Sequence, residues 1–135
     1  MDLAAASAIS ASGMRVQAAR LRVVAENLAN VDATSRAPGG DPYRRKTISF
    51  ENALDRELGH DVVRVRRYGA DPSAFRVENR PGHPAADADG YVRLPNVNAL
   101  VELMDMREAQ RSYEANLNAM GVARAMRQRT LELLR

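Results

Sequence analysis

Small and apolar residues recur at steps of three and four from Asp2 to about Val31. One row is Ala4, Ser7, Ala11, Met14, Ala18, Leu21, Ala25 and Leu28, the spacing of a helix seam. A second row, Ile9, Val16 and Val23, widens the stripe, while Arg15, Arg20, Arg22 and Glu26 face elsewhere. Ser10, Ser12 and Gly13 weaken the middle of this helix, which alone would be poorly populated in water. Residues 30–42 then gather Asn, Asp, Thr, Ser, two glycines and two prolines, a turn and loop signal. Tyr43–Phe50 reads as a strand with Ile48 and Phe50 on one face, and a short polar helical turn is predicted over Glu51–Leu58. Asp61–Tyr68 and Ala74–Glu78 read as strands, because Arg64, Arg66 and Arg76 alternate with Val63, Val65 and Val77. Asp87-Ala88-Asp89-Gly90 is a tight turn, and Tyr91–Leu94 a last short strand.

A second helix is predicted from Asn96, as its N-cap, nearly unbroken to Leu134. Its seam is Met106, Ala109, Tyr113, Leu117, Met120, Ala123, Met126, Thr130 and Leu134. Glu102, Asp105 and Glu108 load its start, and Arg124, Arg127, Arg129 and Arg135 its end, as the helix dipole favours. At ~1.5 Å per residue such a helix is roughly 58 Å long. The fold class is therefore mainly α with a small β module: long N- and C-terminal helices pairing as a coiled coil, with a β-rich insertion between them. The segments are 1–34 for the first helix, 35–94 for the loop and β module, and 95–135 for the second helix. Both helices are too long and too thinly apolar to complete a core alone, so much of the seam needs a partner outside the chain.

Composition sharpens this picture. The 135 residues are 45% apolar but only 4% aromatic, with no Trp, so large anchors that bury much area are scarce. The sequence has no Cys, which excludes disulfides, thiolate catalysis and zinc–thiolate sites. Met1-Asp2-Leu3 begins acidic and no apolar h-region follows, so no cleaved signal peptide is expected, nor any membrane span. The formal charge is +3, almost all of it Arg, with Lys46 the single lysine. Seventeen acidic residues are interspersed with the twenty basic ones, which dilutes any single-sign face.

Catalytic chemistry is missing from the pattern. His60 and His83, the two histidines, stand in loops without a second ligand at metal spacing. The Asp87–Gly90 turn lacks the distal acid of a calcium loop. Serines have no adjacent base, and no glycine-rich phosphate loop occurs. No enzymatic activity, cofactor, metal or small-molecule substrate is expected. Arg44, Arg45, Lys46, Arg64, Arg66 and Arg67 could form a basic patch for nucleic acid, but the aromatic interleaving of single-strand binders is absent.

Two motifs carry a resemblance. Ala25-Glu26-Asn27-Leu28-Ala29-Asn30 closes the first helix with two asparagines around a Leu-small pair. Asn96-Val97-Asn98, then Glu102, Met106 and Ala109-Gln110-Arg111-Ser112-Tyr113-Glu114-Ala115-Asn116, opens the second, which ends in Thr130-Leu131-Glu132-Leu133-Leu134. In this order, at the two ends, they resemble the signatures of the bacterial flagellar rod, hook and hook-associated axial proteins. Pro42-Tyr43-Arg44-Arg45, Phe50-Glu51 and the run Gly90–Asn98 are most similar to a proximal rod protein of that family. Residues 55–88 carry no motif. The resemblance implies a structural rod subunit in the periplasm that transmits torque, exported through the flagellar type III apparatus without a cleaved signal. Its partners would be further copies of the chain and rod proteins of the FlgB, FlgF and FlgG type, with no nucleic acid and no membrane insertion. Another axial protein, FlgB-like or hook-type, stands as an alternative. Assembly contacts would fall on Asn27, Leu28, Asn30, Met106, Arg111, Tyr113, Glu114, Asn116, Leu117 and Met120. Read without the resemblance, Asn27 and Asn30 are either bonding groups that fix the loop leaving the helix or a plain helix end with Asn as C-terminal cap.

Overall fold

The computed structural model describes residues 2–134. Met1, and Arg135 with its expected role at the helix end, lie outside the described residues. Two long helices, α1 (Leu3–Ala29) and α2 (Ala99–Leu133), flank four strands: β1 (Lys46–Asp55), β2 (His60–Ala70), β3 (Arg76–Asn79) and β4 (Tyr91–Leu94). The mainly helical fold with a small β module between terminal helices is thus the one that forms. The chain divides into two compact units. One combines α1 up to Leu21, residues 48–67 and α2 from Arg107 onward; the other combines Arg22–Thr47 with Tyr68–Met106.

Capping sets the helix starts. Asp2 Oδ1 accepts from the N–H groups of Ala4 at 2.9 Å and Ala5 at 3.0 Å, satisfying donors that a helix N-terminus leaves free. The Ala5 bond holds the Asp2 carboxyl below its ordinary pKa. α2 begins two residues later than predicted: Asn98, not Asn96, is the cap, its Oδ1 accepting from Leu100 N–H at 3.0 Å. Asn96 is unavailable as a cap because its side chain is bonded elsewhere. The charge gradient along α2 is also incomplete, since its first turn carries Glu102 but its last turn has no basic residue.

In the first unit, α1 and α2 lie side by side and antiparallel. Gly13 faces Asn116, so close that a Cβ on Gly13 would stand 2.7 Å from Asn116 Oδ1. Arg20 Nη2 lies 3.4 Å from Glu108 Oε2. The buried residues of α1 here are Ala5, Ser10, Ser12 and Val16. The longer row predicted as the seam is displaced: Ala4 and Ala18 are exposed, and Ala11 and Met14 half-buried. Ser12 explains the shift, because its hydroxyl donates to Ile9 O at 2.7 Å and accepts from Val63 N–H at 3.2 Å. β2 therefore covers the Ser12 side. On α2, Ala109 and Ala123 are buried, but Leu117 is 48% exposed and the half-buried Asn116 takes its place in the row. Every described residue of α2 after Ala123 is exposed.

β1 and β2 form one two-stranded sheet, β3 and β4 another. β1 continues through residues expected to turn helical. Asp55 Oδ1 instead accepts from Glu57 and Leu58 N–H, Gly59 N–H donates to Asp55 O at 2.8 Å, and Gly59 adopts a φ of 68°. That left-handed residue closes the hairpin. β3 pairs antiparallel with β4, from Arg76 opposite Leu94 to Asn79 opposite Tyr91. The expected alternation holds at Val63–Arg66 but not in β3, where Val77 is 58% exposed. The small core of the second unit is Ala85, Val92 and Leu94, with Ala86 against it. Asp87 organises the turn before β4, accepting from Asp89 and Tyr91 N–H.

Candidate functional site

The second unit contains a buried polar junction. Asn27, near the end of α1, is 1% exposed, and Glu102, in the first turn of α2, is fully buried. Asn27 Nδ2 donates to Glu102 Oε2 at 3.2 Å and to Lys46 O at 2.9 Å. Asn27 Oδ1 accepts from Lys46 N–H and from the Tyr43 hydroxyl, both at 2.8 Å. Both donors and both acceptor sites of one amide are used, the full capacity of an asparagine side chain. One side chain thus joins the end of α1, the strand entry at Lys46 and the start of α2.

Glu102 is paired with Arg45, whose Nε bonds its Oε1. Arg45 also lies 3.5 Å from Asp71 and 3.7 Å from Asp105. Burial works against the Arg45 charge, but Glu102 first, then Asp71 and Asp105, hold its pKa above the ordinary value. The Ser73 N–H, then the Ser73 hydroxyl and Arg45, keep the Asp71 carboxyl below its usual range. Burial, with the charges of Glu26 and Glu102, pushes the Tyr43 phenol up to about 12. Asn96 completes the junction: its Oδ1 accepts from Arg45 N–H at 2.8 Å, and its Nδ2 donates to Asp71 O at 3.1 Å and to the Ser73 oxygens. A buried carboxylate bonded this way is costly to disrupt and ties distant segments into one geometry. Among the described residues no set of His, Cys, Asp or Glu could hold a metal.

The residues expected at assembly contacts separate into distinct places. Asn27 is the centre of the junction. Asn30 closes α1, its Nδ2 donating to Glu26 O at 2.8 Å. It does so without the left-handed conformation of an αL cap, since no described residue other than glycine has positive φ. Leu28 and Met106 are half-buried in the same unit. In the first unit, Tyr113 lines an open cavity of ≈ 550 Å³ with Ala11, Met14 and Ala18. Asn116 lies against Gly13 and donates to Ser112 O at 2.8 Å, and Met120 is half-buried. Arg111, Glu114 and Leu117 are exposed, and no ion pair joins Arg111 to Glu114 among the described residues. Sequence reasoning gave Tyr43, Arg45 and Asp71 no part in such a site, and it read Glu102 as a dipole charge. A signal for Glu102 existed: it stands four and seven residues before Met106 and Ala109, on the apolar row.

Half of the six residues expected to form a basic patch, Arg45, Lys46 and Arg64, are paired with carboxylates in the structure. Arg45 is committed to carboxylates, Lys46 bonds Glu26, and Arg64 bonds Glu51 at 2.8 Å. Arg44 donates to Asp71 O and Ser73 O and lies 4.2 Å over the Phe75 ring.

Comparison with known proteins decides the family. The chain is 50% identical over 133 residues to the flagellar basal-body rod protein FlgC of Agrobacterium fabrum, covering 98% of this chain and 96% of the relative. It is 42% identical over 133 residues to FlgC of Aquifex aeolicus, covering 98% and 97%. It is 36% identical over 127 residues to FlgC of Salmonella typhimurium, covering 93% and 92%. The chain belongs to the FlgC family of flagellar basal-body rod proteins. Residues 88–133 also match the family model for the C-terminal region of flagellar basal body rod FlgEFG proteins. That match takes in β4, Asn96 and Glu102, so the family region includes the α2 half of the junction. Membership of the FlgC family favours neither the FlgB-like or hook-type alternative nor a nucleic-acid module. Among the described residues no helix is long and apolar enough to cross a membrane.

Proposed function

We propose that the chain is a structural subunit of the proximal rod of the flagellar basal body, working without catalysis. The observation that carries this reading is the near full-length likeness to FlgC proteins, which spans both terminal helices and the junction residues. The physical fit is direct. A shaft transmits torque through fixed geometry, and the Asn27–Glu102–Arg45 network locks α1, α2 and the strand entry with directional bonds. The helical ends, residues 1–34 and 95–135, serve as the axial core, and 35–94 as the module carried on it. Its partners are further copies and rod proteins of the FlgB, FlgF and FlgG type. The chain reaches the periplasm through the flagellar export apparatus. The apolar groups left exposed on α2, such as Leu117, Val122 and Met126, together with Tyr113, Glu114 and Arg111, supply inter-subunit contacts.

Mass spectrometry of detergent-stripped basal bodies from the source bacterium tests this. The chain is expected with other rod proteins at near-stoichiometric level, carrying its own N-terminus. Its absence from rod-containing particles would sink the assignment, and a shortened N-terminus would sink the export route.

A further inference from the structure

One cavity of the second unit is lined by charges the junction does not use. Its volume is ≈ 460 Å³, and Arg22, Arg44, Lys46 and Glu26 share its wall with Val23 and Tyr68. Lys46 and Glu26 neutralise each other. Arg44 bonds only carbonyl oxygens, besides stacking on Phe75, so no carboxylate offsets its charge. Arg22 is exposed, and no ion pair engages it among the described residues. The pocket thus holds two uncompensated cations beside an apolar wall, with Tyr68 60% exposed at its edge. Such a surface fits a segment offering a carboxylate next to a large aliphatic group.

The chain carries such a segment. The β1–β2 turn presents Leu54, 63% exposed, and Leu58, 42% exposed, on either side of the exposed Arg56 and Glu57. Its backbone is fixed by Asp55 and Gly59, so the tip is presented in one shape and little ordering entropy opposes docking. The charges complement: Glu57 suits Arg22 and Arg44, the two cations of the pocket without a carboxylate partner. We infer that the β1–β2 hairpin tip of one copy docks in the Arg22–Arg44–Tyr68 pocket of a second copy. Tip and pocket are different surfaces, so the contact is heterologous and passes from copy to copy, as a ring or an open helical array, rather than closing as an isologous dimer. This rests on the rod reading and names one contact within it.

The sequence has no Cys, so paired cysteines report the contact cleanly. Differently tagged Leu58→Cys and Tyr68→Cys variants, both at exposed positions, are produced together in motile cells. Basal bodies are isolated after mild oxidation and probed for a disulfide joining the two tags. The expected result is a cross-linked pair that needs both cysteines, falls several-fold with Arg22→Glu, and returns when Glu57→Arg is added. Both variants present in basal bodies but not joined overturns the contact and leaves the rod reading intact. Tyr68→Cys joined to a different rod protein overturns it as well. Neither variant in basal bodies, with wild-type chain absent too, overturns the rod reading and the contact together.

Discussion

At the scale of single residues, Asn27 and Glu102 dominate because both are buried, Asn27 with every donor and acceptor of its amide used and Glu102 with a partner on each oxygen. Asn27→Ala strands the Lys46 N–H and carbonyl, the Tyr43 hydroxyl and one Glu102 oxygen. At about 1–3 kcal/mol for each buried group left unsatisfied, and with partial rescue by water, a loss of about 2–4 kcal/mol is expected in urea unfolding of the purified chain. Arg45→Ala leaves the Glu102 charge buried without its main partner, a change that costs about 3–5 kcal/mol. Adding Glu102→Gln should recover part of that loss, and a double variant no more stable than Arg45→Ala would show that the ion pair is not the source. Tyr43 makes the junction sensitive to alkali. Its phenol titrates near 10 in the unfolded chain and about 12 in the fold. Between those values the unfolded chain has released a proton that the folded chain keeps, so stability falls as pH rises through that window. Tyr43→Phe should flatten this decline relative to wild type in unfolding series from pH 9 to 11.5. An unchanged slope would remove Tyr43 as its origin.

At the scale of elements, periodicity revealed both helices and the β4 limits, because those depend on local propensity and a repeating pattern. It placed the α1 seam on the longer row, yet burial falls on Val16, Val23 and Asn27. The reason is tertiary: β2 reaches Ser12 from one side and α2 approaches Gly13, facts that no spacing along α1 contains. The same limit hid Arg45 and Asp71, whose roles depend on distant residues, Glu102 among them at 57 positions from Arg45. Asn96 and Asn98 were interchangeable as caps by residue type, and the fold separated them by giving Asn96 three distant partners. Gly13 offers a test of helix approach. Alanine in a helix interior gains about 1 kcal/mol over glycine, but here its Cβ would press on Asn116 at 2.7 Å and break the Asn116–Ser112 bond. Gly13→Ala is therefore expected to be neutral or destabilising in the wild-type background and stabilising by about 1 kcal/mol beside Asn116→Ala. Equal effects in both backgrounds, by thermal unfolding, would mean the helices do not meet there.

At the scale of the whole molecule, stability and assembly draw on different stretches of α2. Glu102, Ala109 and Ala123 are buried within their units, while every described residue beyond Ala123 is exposed, including Leu131 at 60% and Leu133 at 87%. Apolar side chains left in water add nothing to folding, and burying one fully is worth about 1.5–3 kcal/mol. On the rod reading proposed above, their benefit lies in a neighbouring subunit rather than in the isolated chain. Small buried residues, Ala and Val above all, leave a modest core, so a subunit of this kind gains much of its rigidity on incorporation. Leu131→Ser with Leu133→Ser separates the two contributions. The purified double variant should unfold within about 0.5 kcal/mol of wild type, as expected for surface changes, yet restore motility poorly to cells lacking the wild-type chain. A variant that destabilises the free chain as strongly as an Asn27 substitution would place those leucines in its own core. A variant that swims normally would leave the C-terminal turns of α2 without an assembly role.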